Sequence, residues 1–168
     1  MTERYLLELK EMNRLDKYFN FISSSISINH NKIYNFIKKF IDKYNITKVN
    51  LNELSDKISQ GLQGTVSLND FYNFCADTSV VNTSVHPEYN KLASKILAER
   101  LHLMTESDFG IISDILFNNV DVKGNKFPLL DSRYFEFVMQ NKDAINMKLD
   151  FNKDYTFDYF GLRSEEHT

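Results

Sequence analysis

The chain has 168 residues, 42% of them hydrophobic and 14% aromatic, with a formal net charge of −3. That much apolar material can fill a core, so a disordered segment is excluded. Charges of both signs are interspersed, which gives no electrostatic footing for nucleic acid or an anionic membrane as partner.

One cysteine, Cys75, excludes an internal disulfide and a multi-cysteine zinc site. His30, His86, His102 and His167 are scattered without ligand spacing, so metal ligation has little support. The N-terminus is charged from its third residue, unlike a signal peptide. No apolar run approaches the roughly 18–20 residues that span a bilayer. The expectation is a soluble, cytoplasmic protein.

Helical periodicity dominates the chain. Tyr5, Leu6, Leu9, Met12, Leu15, Phe19 and Ile22 fall close to one face, predicting a helix over Tyr5–Ile22. Ser23–Asn31 is a polar break in which Ile26 and Ile28 alternate as in extended chain. Ile33, Phe36, Ile37, Phe40, Ile41 and Tyr44 then give the clearest helical stripe, with lysines between them facing out. Asn50 followed by Glu53 reads as a cap with a reciprocal acid. It opens a helix with Leu51, Leu54, Ile58 and Leu62 inward, ended by Gly61 and Gly64. Ser67 and Asp70 repeat the arrangement for a helix to about Asn82, with Phe71, Phe74, Cys75 and Thr78 on one side. His86 is pushed towards extended geometry by Pro87, which itself suits the first turn of a helix running to about Met104. Shorter helices are predicted at about Ser107–Asn119 and Asp131–Met147, flanking a turn at Gly124-Asn125 and Pro128. Asp150–Leu162 is aromatic and poor in helical period. The fold class read from this pattern is all-α, with weak strand signal throughout.

General catalytic motifs are missing: there is no phosphate-binding G-x-x-x-x-G-K-[ST] loop, no G-x-G-x-x-G and no G-x-S-x-G. Asp150-Phe-Asn152-Lys-Asp154 begins like a calcium loop, but Tyr155 stands where the sharp turn needs glycine and Gly161 where a bidentate acid is needed. Cys75, between Phe74 and Ala76 on an apolar helix side, reads as a buried structural thiol. His86 reads as a helix-entry residue. His102 sits near a helix end, where a cation is mildly favoured.

From Lys57 onward the chain resembles the large subunit of class I ribonucleotide reductases of the eukaryotic and large-DNA-virus type. The residues that carry the likeness are Lys57-Ile-Ser-Gln-Gly-Leu62 with Val66-Ser67-Leu68, Cys75-Ala-Asp-Thr78, His86-Pro-Glu-Tyr89, Leu92-Ala-Ser-Lys95 and Leu101-His102. Further on, Asn141-Lys142-Asp143 and the run Phe151–Leu162 match the family's N-K-D and Y-D-R-D-F-S-Y-N-Y-F-G-F patterns. That last run is the most specific, and coverage extends over about residues 31 to 162.

The resemblance implies an ATP-cone-like regulatory domain over residues 1–104, divergent over 1–30. It implies that residues 105–168 begin the large subunit's helical domain and stop short of the catalytic α/β barrel. The intact subunit would reduce ribonucleoside diphosphates by radical chemistry, with a radical from a separate small subunit, and would form a homo-oligomer. That scheme needs a thiyl radical and a redox-active cysteine pair, so this stretch alone is expected to be inactive, with no catalytic residue, no metal and no cofactor of its own. ATP and dATP are the implied allosteric effectors. Lys32, in Asn31-Lys-Ile33, matches a lysine of the cone that contacts phosphate. The cone's V-I-K-R-D-G hairpin has no counterpart, and its threonine, aspartate and late lysine fall on Leu68, Tyr72 and Leu103. Charged hydrogen bonds contribute about 1.5–3 kcal/mol each. A degenerate cone with weak or lost effector binding is therefore expected. Arg163-Ser-Glu-Glu-His-Thr168 leaves the family pattern and matches a translated sequencing adapter, so an artefactual terminus on an incomplete gene is expected.

Overall fold

The structure is a computed structural model that describes residues 16–165. Most of the helix expected over Tyr5–Ile22 lies outside those residues, and its end forms α1, Asp16–Ser23. The chain then makes a short strand β1 (Ser25–Ser27), α2 (His30–Lys43), α3 (Leu51–Gly61), a second strand β2 (Thr65–Ser67), α4 (Leu68–Val81), a 3-10 turn (Asn82–Ser84) and α5 (Glu88–Met104). After these come α6 (Phe109–Phe117), α7 (Ser132–Asn146), a 3-10 turn (Phe151–Thr156) and α8 (Tyr159–Glu165). The fold is mainly α, as the periodicity predicts.

Two compact units divide it. One takes in residues 19–104 and 152–165; the described part of the other centres on 105–151.

In the first unit, the stripe read from α2 is the core. Ile33, Ile37 and Phe40 are fully buried against Leu54 and Ile58 of α3, Phe71, Cys75 and Ala76 of α4, and Leu92, Ile96 and Leu97 of α5. Apolar residues three and four apart share one helix face, so each helix buries a continuous stripe. Phe36 lies edge-on to Phe40, Phe71 and Tyr72 at centroid distances of 5.1, 4.8 and 5.0 Å, geometries that aromatic quadrupoles favour.

Helix starts follow the sequence closely. Asn29 accepts from the N–H of Lys32, Asn50 from Glu53 and Ser67 from Asp70, each relieving one orphan donor of a first turn. The reciprocal half of the box at Asn50 differs from expectation. Its backbone N–H donates to the Tyr89 hydroxyl at 3.0 Å, and Glu53 instead accepts from the Asn50 side-chain amide at 3.4 Å. At the far end of α2, Asn45 takes φ +50°, the left-handed conformation that lets a helix stop.

The strand pair is where the helical pattern gives way. β1 and β2 run antiparallel, with Ser25 opposite Ser67, Ile26 opposite Val66 and Ser27 opposite Thr65. Extended backbone at Ile26 was legible; its partner Thr65–Ser67 was not. Bonds from Ile28 N–H to the Gly64 carbonyl (2.7 Å) and from Leu68 N–H to the Ser24 carbonyl (2.8 Å) continue the ladder at each end. Gly64, at φ +75°, supplies the backbone turn that a side chain would resist.

The second unit is built on α6 and α7. Asp108 caps α6 by accepting from Ile111 N–H at 3.0 Å, and this bond leads the interactions that hold its carboxyl below the usual range. Asp131 accepts from Arg133 N–H at 2.9 Å at the start of α7. Phe117 and Phe135 stack at 4.1 Å, Val138 is buried, and Asn146 accepts from Phe109 N–H. Gly110 lets the helices approach, since a Cβ there would meet Lys142 carbons at 3.1 Å. The turn expected at Gly124-Asn125 forms, with the Asp121 carboxylate accepting from the N–H groups of Lys123 and Asn125.

Candidate functional site

Lys32 lies in the first turn of α2. Its ammonium donates to the Ser27 carbonyl at 2.8 Å, so this cation closes the end of β1 onto the helix. The three other positions implied for effector binding are placed very differently. Leu68 opens α4 at the opposite end of the β1–β2 ladder and packs against the core. Tyr72, one turn on, is buried. Its ring meets Phe21, Phe36 and Phe71 edge-on, and its hydroxyl donates to Glu99 at 3.3 Å. Burial first, and then the Glu99 charge, push the Tyr72 phenol well up. Glu99 is also held by Lys39 at 2.8 Å. Leu103 is exposed near the end of α5. The ladder thus brings Lys32 and Leu68 to one strand pair, but the second contributes only hydrocarbon, and Tyr72 faces the aromatic core.

The Phe151–Leu162 run is the other candidate. The sequence gives it little helical period, whereas the structure forms a 3-10 turn followed by α8, both folded back on α4 and α5. His102 and Asp154 pair at 2.7 Å, and the Tyr155 ring stands edge-on to His102 at 5.1 Å and tilted against Tyr44 at 5.6 Å. Lys43 lies over both Tyr44 and Tyr155. Burial, with the neighbouring Tyr44 next, pushes the Tyr155 phenol up to about 12. Tyr159 donates its N–H to Asn90 at 3.1 Å and its hydroxyl to Asp77 at 2.6 Å. Leu162 is buried in the core. Arg163 completes the attachment, donating to Asn73 at 3.0 Å and to Asp77 at 2.6 Å. Phe157 and Phe160 remain exposed.

Cys75 is fully buried, and desolvation pushes its thiol far above the ordinary value. That is the structural thiol read from the sequence. His86 accepts from Glu88 N–H at 3.2 Å through Nδ1, as a residue shaping a helix entry does. His102 has a definite partner in Asp154 that its position at a helix end did not reveal. Among the described residues, no helix is long and apolar enough to cross a membrane.

These contacts define a helical bundle, with a two-stranded clasp, that folds an aromatic segment back onto its own core. No family model matches the chain. Individual proteins do. It is 30% identical over 115 residues to the ribonucleoside-diphosphate reductase large chain of Cryptosporidium parvum, covering 68% of this chain and 14% of that one. It is 27% identical over 138 residues to the large subunit of Danio rerio, covering 82% and 17%. It is 28% identical over 136 residues to that of vaccinia virus, covering 80% and 18%. Over the matched residues the chain is similar to ribonucleoside-diphosphate reductase large subunits, and it spans less than a fifth of the length of these curated relatives.

Proposed function

We propose that this chain serves as the amino-terminal, non-catalytic part of a ribonucleoside-diphosphate reductase large subunit, in which it has a structural role and a weakened regulatory one. The observation that carries the reading is the Phe151–Leu162 run. It is the most specific stretch of the family likeness, and Tyr155, Tyr159 and Leu162 anchor it to α4 and α5 while Phe157 and Phe160 stay exposed. A second support comes from the 105–151 unit, which leaves Ile111, Phe127, Leu129, Tyr134 and Phe137 exposed. Large exposed apolar side chains mark surfaces that another element covers. The intact subunit, reducing ribonucleoside diphosphates with a radical-generating small subunit, is the setting in which both features have a use.

The regulatory part is reduced to Lys32. Leu68, Tyr72 and Leu103 offer an incoming phosphate no cation, and Lys32 is already bonded to Ser27. At about 1.5–3 kcal/mol for each charged hydrogen bond, losing three such contacts weakens effector affinity by orders of magnitude. Isothermal titration with dATP is expected to show no micromolar binding; micromolar binding competed by ATP would overturn the degenerate-cone reading. Sequencing the source nucleic acid across the codon for Leu162 tests the larger claim. A frame that runs on into a barrel with several cysteines supports it. A stop directly after Thr168 would replace it with a free-standing helical module that binds nucleotides or docks on a reductase.

A further inference from the structure

A cleft of about 230 Å³ lies in the first unit, between the outer face of α5 and residues 156–158. Asn90, Lys91, Ser94 and Lys95 line one wall, and Phe157 and Asp158 the other. The two lysines are four residues apart, so their ammonium groups share one helix face, an arrangement that disfavours a helix unless something compensates the charge.

Neither lysine is ion-paired among the described residues, although Glu88 lies near enough to feel the Lys91 charge. Lys91 donates to the Tyr44 carbonyl at 3.1 Å and Lys95 to the Tyr155 carbonyl. Each ammonium has three N–H donors, so two on each lysine stay uncommitted. Lys95 is half-buried; that burial, followed by the Lys91 charge, holds its pKa below the ordinary lysine value. Both cations are therefore fixed by backbone carbonyls and repel one another, and Lys95 is partly dried. Asn90 uses its side-chain carbonyl to take Tyr159 N–H, which leaves its amide N–H groups to donate. Asp158 has one oxygen occupied by Gly161 N–H at 2.7 Å, and the other is an acceptor for a hydroxyl.

We propose that this cleft binds a phosphate dianion. Lys91 and Lys95 neutralise its charge, Asn90 donates to a third oxygen, and Asp158 accepts from a hydroxyl carried by the phosphate or its ester. A dianion balances the charge of both lysines, whereas a carboxylate, even if it bridged them, would balance only one. The site is separate from Lys32 and does not rest on the reductase reading. The dianion is either free phosphate or the phosphate of a nucleotide whose base lies on the exposed ring of Phe157.

The test is calorimetric titration of the full chain with inorganic phosphate and, separately, with adenosine monophosphate. Saturable binding is expected, weakened roughly tenfold or more by Lys91→Gln and by Lys95→Gln, in keeping with loss of a charge-assisted contact. Lys91→Arg should retain it, and Lys123→Gln, in an exposed turn of the other unit, should leave it unchanged. Because Lys95 also holds Tyr155, Lys91→Gln is the deciding variant, its side chain being exposed. Equal affinity for the two probes identifies free phosphate. Tighter nucleotide binding that Phe157→Ala abolishes identifies the ester. Absence of saturable binding, or binding indifferent to Lys91→Gln, overturns the proposal.

Discussion

Leu162→Ala should release the α8 segment without unfolding the bundle. Leu162 is 4% exposed and joins the main core from the end of the described chain. Removing roughly three buried carbons at about 0.8 kcal/mol each costs about 2.4 kcal/mol in transfer free energy. Core Leu→Ala changes cost about 2–5 kcal/mol once the residual cavity is included, and a terminal helix can settle into the space, so about 2–3 kcal/mol is expected. Segments open locally with their own free energies, and each 1.4 kcal/mol is a factor of ten, so the undocked population should rise roughly 30- to 140-fold. Hydrogen–deuterium exchange reads this directly. The N–H groups of Tyr159, Gly161 and Leu162, bonded to Asn90, Asp158 and Asp158, should exchange faster by that factor, while α2 and α3 keep their protection. Unchanged exchange at these amides would show that Leu162 does not hold the segment. An equal acceleration across α2 and α3 would show that the segment opens only with the whole unit.

Glu88 accepts from the N–H groups of Lys48 and Thr47, and the Lys48 bond, the larger cause, lowers its pKa. A carboxyl depressed by folding stabilises above its unfolded pKa and loses that contribution as pH falls through the folded value. The stability gap between the native chain and Glu88→Gln should therefore narrow in thermal melts taken from neutral to roughly pH 3; a constant gap would rule the carboxylate out. Cys75, buried with its thiol pushed up, should react with an aromatic disulfide reagent only on unfolding, so rapid labelling of the folded chain would contradict its placement.

The α2 helix was legible because six apolar residues at helical spacing stand among lysines, and Asn50 and Ser67 announce their helices by short side chains that compete for backbone N–H groups. The β1–β2 ladder was half legible. Val66 has one polar neighbour on each side, and its partner Ile26 lies forty residues earlier, so no local pattern marks the pair. The α8 segment was obscured by its own composition. Tyr155, Tyr159 and Leu162 are spaced as one helix face and do turn inward, but Phe157 and Phe160, equally apolar, face out and blur the period. Of the candidate site, Lys32 could be named but its Ser27 partner could not, because that bond depends on where β1 ends. Lys91 and Lys95 carry no motif that marks them as a pair in the sequence. What sequence could not supply is the wall opposite, brought there from more than sixty positions away.

The Tyr89 hydroxyl and the Glu88 carboxylate take the N–H groups of Asn50, Thr47 and Lys48. The bend between α2 and α3 is therefore finished by side chains that emerge from the ribosome about forty residues later. Until then those donors bond to water, so the bend between α2 and α3 lacks part of its support while the two helices stand alone. Assembly of this bundle waits on a contact distant in sequence, which slows it relative to a bundle whose turns are satisfied locally. A chain halted before Tyr89 would lack Leu92, Ile96 and Leu97, leaving the apolar stripe of α2 covered only by α3 and α4, a condition that favours association of nascent helices over folding.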